Sequence, residues 1–133
     1  MGFKRAMIQD SGLTRYARAG DGIFANCAIT TITADAADTV TVAKLAGGIV
    51  QYTGFTAGRV LTTDTAAAIL AAYPEMDISD MLMFKVSVVP AFAGTWAAGT
   101  GVTIAGKTTV PASTEVSVCI IKTSATTVTW NTL

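Results

Sequence analysis

The segment 96–110 constrains the fold more than any other part of the chain. It alternates threonine, valine and isoleucine with small residues, and Gly99, Gly101 and Gly106 interrupt the alternation. β-Branched residues favour the half-buried, pleated surface of a sheet, and glycines between short alternating runs mark turns. The segment therefore predicts short strands joined by tight turns. The stretch from Gly99 to Gly101 lacks the residues that complete a nucleotide-binding fingerprint, so it is also predicted to be a turn.

Short alternating runs recur from residue 38 onward. Closely spaced short strands are typical of a β-sandwich or small barrel, so the sequence predicts a compact, mainly β fold. The run 81–89 has apolar residues at both alternating positions near its start, which suits a central strand, and the run 115–122 predicts a strand largely covered on both faces. The predicted strands are residues 39–42, 49–53, 59–62, 81–89, 95–97, 102–104, 107–110, 115–122 and 126–130.

Residues 65–73 break this alternation and predict one short α-helix. Alanine has the best intrinsic helix propensity, and the apolar residues follow the i, i+3, i+4 and i+7 spacing of one helical face. Thr63 or Asp64 is suited to accept hydrogen bonds from the free N–H groups at the helix start, and Pro74 ends the helix. We expect this helix to cover one face or end of the sheet. Its apolar face consists of Ala66, Ile69, Leu70 and Tyr73.

Residues 1–37 differ from the rest and predict an extended N-terminal arm, followed by a β-rich body over residues 38–133. Glycines interrupt every periodic run in the arm, and four of the nine basic residues fall there. A large apolar side chain gains roughly 1.5 to 3 kcal/mol when fully buried, so the arm should lie on its own body or on a neighbouring molecule. A flexible leader, or the first strands of the domain, are the alternatives. The predicted contact residues are Phe3, Lys4, Arg5, Met7, Ile8, Leu13, Arg15, Tyr16 and Arg18.

The composition argues against several classes of protein. The net charge is +0, and 14% of the residues are charged, against about 25% in an average soluble domain. Nucleic-acid and anionic-membrane binding are therefore not expected, and no apolar run reaches the 18 or so residues of a membrane-spanning helix. The N-terminus lacks a signal-peptide pattern, so synthesis in a cytosol is expected. A surface so poor in charge is expected to meet other protein.

The residues that carry most catalytic chemistry are scarce. The chain has no histidine, which excludes Ser-His and Cys-His nucleophilic arrangements. Cys27 and Cys119 are far apart and form no metal-ligand motif, so each is predicted to be a small buried hydrophobic residue, with a disulfide or a reactive thiol as the alternative. We therefore expect no enzyme activity, no metal and no cofactor. The acidic clusters, predicted to be solvated turns, are Asp35 with Asp38, and Glu75 with Asp77 and Asp80.

Three stretches together resemble structural proteins of tailed bacteriophage particles: LAGGIV at 45–50, TAAAILAAYP at 65–74 and AAGTGVTIAG at 97–106. Within that group the chain is most similar to capsid cement (decoration) proteins, over roughly residues 38–131. The resemblance implies a homotrimer on the exterior of the virion that bridges major capsid protein subunits. Some such proteins cross their N-terminal arms between subunits, although residues 1–37 match no family motif. The basic arm residues would then contact an acidic capsid surface.

Two other functions stay open from the sequence. The first is a tail-associated or receptor-binding virion module that recognises host glycan through aromatic side chains, although core or interface packing is the more common role of such residues. The second is a small ligand-binding β-barrel, which would have a closed, deep pocket. The aromatic candidates for glycan contact are Tyr52, Phe55, Phe92, Trp96 and Trp130.

Overall fold

The computed structural model describes residues 7–10, 13–16 and 28–133. The fold is mainly β, as the sequence predicts, with two short helices in the described part of the chain. The strands are β1 (Met7–Asp10), β2 (Leu13–Tyr16), β3 (Ala28–Ile32), β4 (Asp38–Val40), β5 (Gly48–Tyr52), β6 (Arg59–Thr63), β7 (Met81–Val88), β8 (Gly94–Ala97), β9 (Val102–Gly106), β10 (Thr109–Val110), β11 (Thr114–Lys122) and β12 (Val128–Thr132), and the helices are α1 (Val42–Leu45) and α2 (Ala66–Ala72).

Two mixed sheets form the body. The six-stranded sheet has the order β3-β5-β7-β11-β12-β9, and the four-stranded sheet has the order β10-β8-β6-β4. From β3 to β11, consecutive strands alternate between the two sheets, so neighbours within a sheet are seldom neighbours in sequence. This alternation explains why β3 and β5, β5 and β7, β4 and β6, and β6 and β8 all pair in parallel. The strands β1 and β2 form a separate antiparallel pair.

Buried side chains from both sheets form one core. Along β12 the burial alternates strictly, with Val128, Trp130 and Thr132 buried, as expected for a strand with one face on the core. Trp130 meets Trp96 of the four-stranded sheet edge to face, with ring centroids 5.1 Å apart. Aromatic pairs favour this arrangement. The two sheets are therefore held by a shared apolar interior.

The strand β7 confirms the prediction of a central strand, because it lies between β5 and β11. Its core face carries Phe84, Val86 and Val88, all buried. The apolar residues on its other face are not covered by the described chain, since Met81 is 62% exposed and Met83 is 53% exposed. The pattern that indicated a central strand thus places methionine on the outside of the sheet.

The helix α2 confirms the predicted helix, but its first turn is capped differently. The Thr65 hydroxyl accepts a hydrogen bond from the Ala68 N–H at 3.1 Å, so the prediction of Thr63 or Asp64 as the capping residue is wrong. Thr63 is buried at the end of β6, where its hydroxyl accepts from the Gly99 N–H at 2.9 Å. Within the helix Ala66 and Ile69 are buried against the core, which confirms the predicted apolar face.

The prediction of a single helix is wrong, because α1 follows β4 directly. The alternation in 39–42 predicted a continuous strand, whereas β4 ends at Val40 and the helix begins at Val42. The Thr41 side chain accepts from the Lys44 N–H, and an Asp64 carboxylate oxygen accepts from the Val42 N–H at 2.9 Å. Free N–H groups at a helix start need such partners. Asp64 lies 22 residues away in sequence, so local periodicity could not reveal it.

The body extends further towards the N-terminus than the predicted boundary after residue 37. Residues 28–32, which the sequence assigned to the arm, form β3 and pair with β5 in the six-stranded sheet. The turn at 99–101 is confirmed, and it carries the chain from β8 in one sheet to β9 in the other. A Cβ atom at Gly99 would lie 2.6 Å from the carbonyl oxygens of Thr63 and Asp64, so only glycine fits there.

Candidate interaction surface

The outer face of the six-stranded sheet is the candidate functional surface. Strand register places Met83 directly opposite Cys119, and Met81 directly opposite Ile121. On the neighbouring strands Ile29 lies opposite Ile49. Because side chains alternate across a sheet, all six residues are on the side away from the core. We call this set the apolar face: Ile29, Ile49, Met81, Met83, Cys119 and Ile121.

Several members of the apolar face are open to solvent. Ile29 is 56% exposed, and Met81 and Met83 are more than half exposed. A contiguous exposed apolar patch on a protein surface typically marks a site of interaction with another molecule. Methionine is flexible and polarizable, which suits a surface that adapts to a partner. These properties make the face the candidate site for contact with another molecule.

A shallow cavity of about 320 Å³ opens on this face. It arises partly at Gly48, which has no side chain and a φ of +95°, a conformation that favours glycine. Ile49 and Met83 contribute its apolar walls. A depression of this kind can receive one or two apolar side chains of a partner. Its lining residues are Gly48, Ile49, Met83, Phe84, Lys85 and Ser117.

Polar residues lie both in one row of the apolar face and beyond it, since Lys85 is directly opposite Ile49 on one side and Ser117 on the other. Lys85 and Glu115 form an ion pair at 3.1 Å, with both side chains about half exposed. One row further, Gln51 lies opposite Ser87, and Ser87 lies opposite Glu115. Exposed pairs of this type contribute little to stability. Apolar side chains with polar and charged neighbours are common in protein–protein interfaces.

Cys119 confirms the prediction of a buried cysteine, since it is free and only 5% exposed. Its Sγ lies 3.2 Å from the Sδ of Met81. The same prediction for Cys27 falls outside the described residues. The sulfur atoms of Cys119 and Met81 therefore both lie on the apolar face.

The predicted acidic clusters have separate structural roles. The prediction that Asp38 lies in a solvated turn is wrong, because Asp38 is in β4. Its carboxylate pairs with the Lys44 ammonium at 2.6 Å. The buried Tyr52 hydroxyl donates to the same carboxylate at 2.8 Å. Burial, followed by this bond, raises the pKa of Tyr52 far above its usual range. Since Tyr52 and Asp38 lie in different sheets, their hydrogen bond connects the two layers.

Asp35 lies in an exposed bend, as predicted, and makes a cluster of its own. Its carboxylate accepts from the hydroxyl and the backbone N–H of Thr56, and it pairs with Arg59 at 2.7 Å. The Thr56 hydroxyl bond, the Thr56 backbone bond and the Arg59 bond together lower the pKa of Asp35 to about 2. Asp77 and Asp80 are also exposed, and the Asp77 N–H donates to the Asp80 carboxylate at 2.8 Å, as expected for a turn.

The aromatic residues considered for glycan binding are mainly structural. Tyr52 and Phe55 are buried and stacked, with centroids 5.2 Å apart, and Trp96 and Trp130 form the pair between the sheets. Phe92 differs, because it is 42% exposed. Of these five side chains, Phe92 alone is open enough to present its ring to a ligand.

The predicted contact residues of the arm are placed only in part. Phe3, Lys4, Arg5 and Arg18 lie outside the described residues. The other five belong to β1 and β2, whose pairing sets Met7 opposite Tyr16 and Ile8 opposite Arg15, with Leu13 opposite Asp10. The apolar face was missed in the sequence, although the alternating Met81 and Met83 were a visible signal. From the sequence they are used only to predict a central strand, and no contact role is assigned to the face that they occupy.

Within the described residues, neither helix has the length and apolar character needed to cross a membrane. The same residues contain no group of three or more His, Cys, Asp or Glu side chains that could hold a metal ion. No protein-family model, curated protein or solved structure matches the chain.

Proposed function

We propose that this chain is a non-enzymatic structural protein of a phage virion, a cement protein that bridges major capsid protein subunits on the head exterior. The observation that carries the proposal is the exposed apolar face of the six-stranded sheet, because such a surface is stabilised when another protein covers it. The net charge of +0 and the 14% of charged residues support protein, and neither nucleic acid nor membrane, as the partner.

The finer architecture belongs to the same proposal. We interpret the two sheets with their shared core as the layers of a β-sandwich, preceded by an N-terminal arm and assembled as a homotrimer. A closed threefold assembly would present three identical surfaces to the capsid. Several weak contacts anchored on one oligomer act at a high effective concentration, so the trimer would hold neighbouring capsomers firmly even if each contact were weak.

The arm would add a second contact. Its apolar residues, together with the cations at Lys4, Arg5, Arg15 and Arg18, have the composition expected of a segment that docks on an acidic protein surface. In this proposal the basic side chains of the arm position the protein on the capsid through polar contacts, and the apolar face contributes the buried apolar area. The two contributions are separable by mutation.

Co-sedimentation with capsids that lack the protein tests the proposal. Met83→Lys places a charge on the apolar face, and burying an unpaired charge at an interface is costly, so capsid binding should weaken by about tenfold or more. Val60→Lys is the matched control, because Val60 is 46% exposed on the outer face of the other sheet. A chain without residues 1–22 measures the contribution of the arm separately.

Equal binding by the wild type and Met83→Lys would show that the apolar face takes no part in attachment. Failure of the wild-type chain to bind capsids would overturn the cement function itself. If the protein instead bound host cells and a Phe92→Ala variant lost that binding, a receptor-binding role would replace it. Light scattering of the purified chain tests the trimer independently.

A further inference from the structure

Three sulfur-bearing side chains are neighbours on the apolar face. Met83 on β7 lies directly opposite Cys119 on β11, and directly opposite residues in an antiparallel pair have Cβ atoms only about 4.5 to 5.5 Å apart. Met81, two residues before Met83, is on the same face, and its Sδ lies 3.2 Å from the Cys119 Sγ. Neither methionine contributes to the core, and the proposed function requires no sulfur chemistry.

The chemistry of this set is specific. Cysteine thiolate and methionine thioether are soft ligands that select Cu(I), whereas Mg²⁺ and Ca²⁺ require oxygen ligands. The residues paired with this set on the neighbouring strands are not strong metal ligands. Cys119 lies opposite Asn131 on its other side, and Met81 lies opposite Ile121. One thiolate with one monovalent cation is electrically neutral, so the complex suits apolar surroundings.

The cysteine is less accessible than the methionines beside it. Cys119 is buried, while the two methionine side chains that flank it are exposed and flexible. A cation can therefore bind a thioether first and then reach the thiol by a rearrangement of methionine alone. We propose that Met81, Met83 and Cys119 form a three-sulfur site for Cu(I). When the cation binds, the Cys119 thiol releases its proton to solvent, and no electron is transferred.

Titration with Cu(I) buffered by a coloured chelator, under anaerobic and reducing conditions, tests this site. The full chain carries Cys27→Ser, so that Cys119 is the single thiol. We expect one Cu(I) per chain. Replacing Met81 and Met83 with leucine retains apolar bulk and the thiol, and each lost thioether should weaken binding by about tenfold or more. Met76→Leu, which alters a buried methionine outside the set, is the matched control.

Three results would overturn the three-sulfur site: no binding by the parent chain, unchanged affinity in the double leucine variant, or one Cu(I) shared by two chains. Circular dichroism of each variant establishes that the fold is retained. A Cys119→Ala variant that still binds as tightly as the parent would equally exclude the thiolate as a ligand. None of these measurements depends on capsid binding, so the site and the proposed function can fail separately.

Discussion

The outer faces of the two sheets differ in chemistry although both follow the same alternation. In the four-stranded sheet, register places Thr39 opposite Thr62, and Thr95 opposite Thr109, so hydroxyl groups line much of that face. The outer face of the six-stranded sheet carries isoleucine, methionine and cysteine over β3, β5, β7 and β11, with Lys85 and Ser117 beside them. Threonine satisfies the β preference of the backbone and still binds water, whereas the apolar face has no such groups. Periodicity thus specifies which side chains face outward, and residue type specifies whether that surface needs a partner.

The two outer faces are supported by one core, so the largest effect is expected from a substitution at the centre of that core. Trp130→Ala should destabilise the protein by about 3 to 5 kcal/mol, because it removes a fully buried aromatic ring and leaves a cavity. Since the ring of Trp130 packs on Trp96 of the other sheet, both sheets should unfold in one transition. Urea unfolding followed by far-UV circular dichroism measures the change.

Trp130→Phe is the matched control for this substitution. It keeps an aromatic ring, and the Trp130 indole N–H has no hydrogen-bond partner in the described chain, so its removal sacrifices no hydrogen bond. The loss of stability should therefore be clearly smaller than for alanine. Two separate transitions in Trp130→Ala would contradict the single shared core and would mean that each face belongs to an independent unit.

A smaller effect is expected from the hydrogen bond between the layers. Tyr52→Phe removes the donor to the Asp38 carboxylate while it keeps the buried ring, and a hydrogen bond to a charged group contributes about 1.5 to 3 kcal/mol. Asp38 keeps its Lys44 partner, which favours the lower part of that range. Thermal or urea unfolding measures the loss. Tyr73→Phe, at a half-buried position, should change stability by less than about 0.5 kcal/mol, and an equal loss in both variants would contradict the proposed role of the bond.

The sequence predicted most strands because their alternation is local. The helix α2 and the turn at 99–101 were also visible, since alanine, proline and glycine act within a few residues. Strand partners were not predictable in this way. A period of two tells which side chains share a face, but it does not tell which sheet a strand joins, and here consecutive strands alternate between sheets.

The errors in the prediction have long-range causes. The helix α1 depends on a contact from Asp64, and Asp38 is drawn into the fold by Lys44 and Tyr52. The exposure of the β7 methionines was not predictable, because apolar residues at both alternating positions are equally compatible with two buried faces and with one buried face beside an apolar surface. The candidate site could therefore be assigned only once the structure showed which face of the six-stranded sheet packs on the core.

The smallest expected effect concerns the loop that leads from the six-stranded sheet to the four-stranded sheet. The folded-state pKa of Asp35 is lowered from 3.8 to about 2, so its contribution to stability is complete above the unfolded pKa and is lost as the pH falls from 4 towards 2. Asp35→Asn should flatten the acid dependence of unfolding in that window and leave the dependence above pH 5 unchanged. Thr56→Val, which removes the hydroxyl donor, should act in the same direction. Parallel curves of unfolding free energy against pH for the wild type and Asp35→Asn would mean that folding does not lower the pKa of this carboxylate.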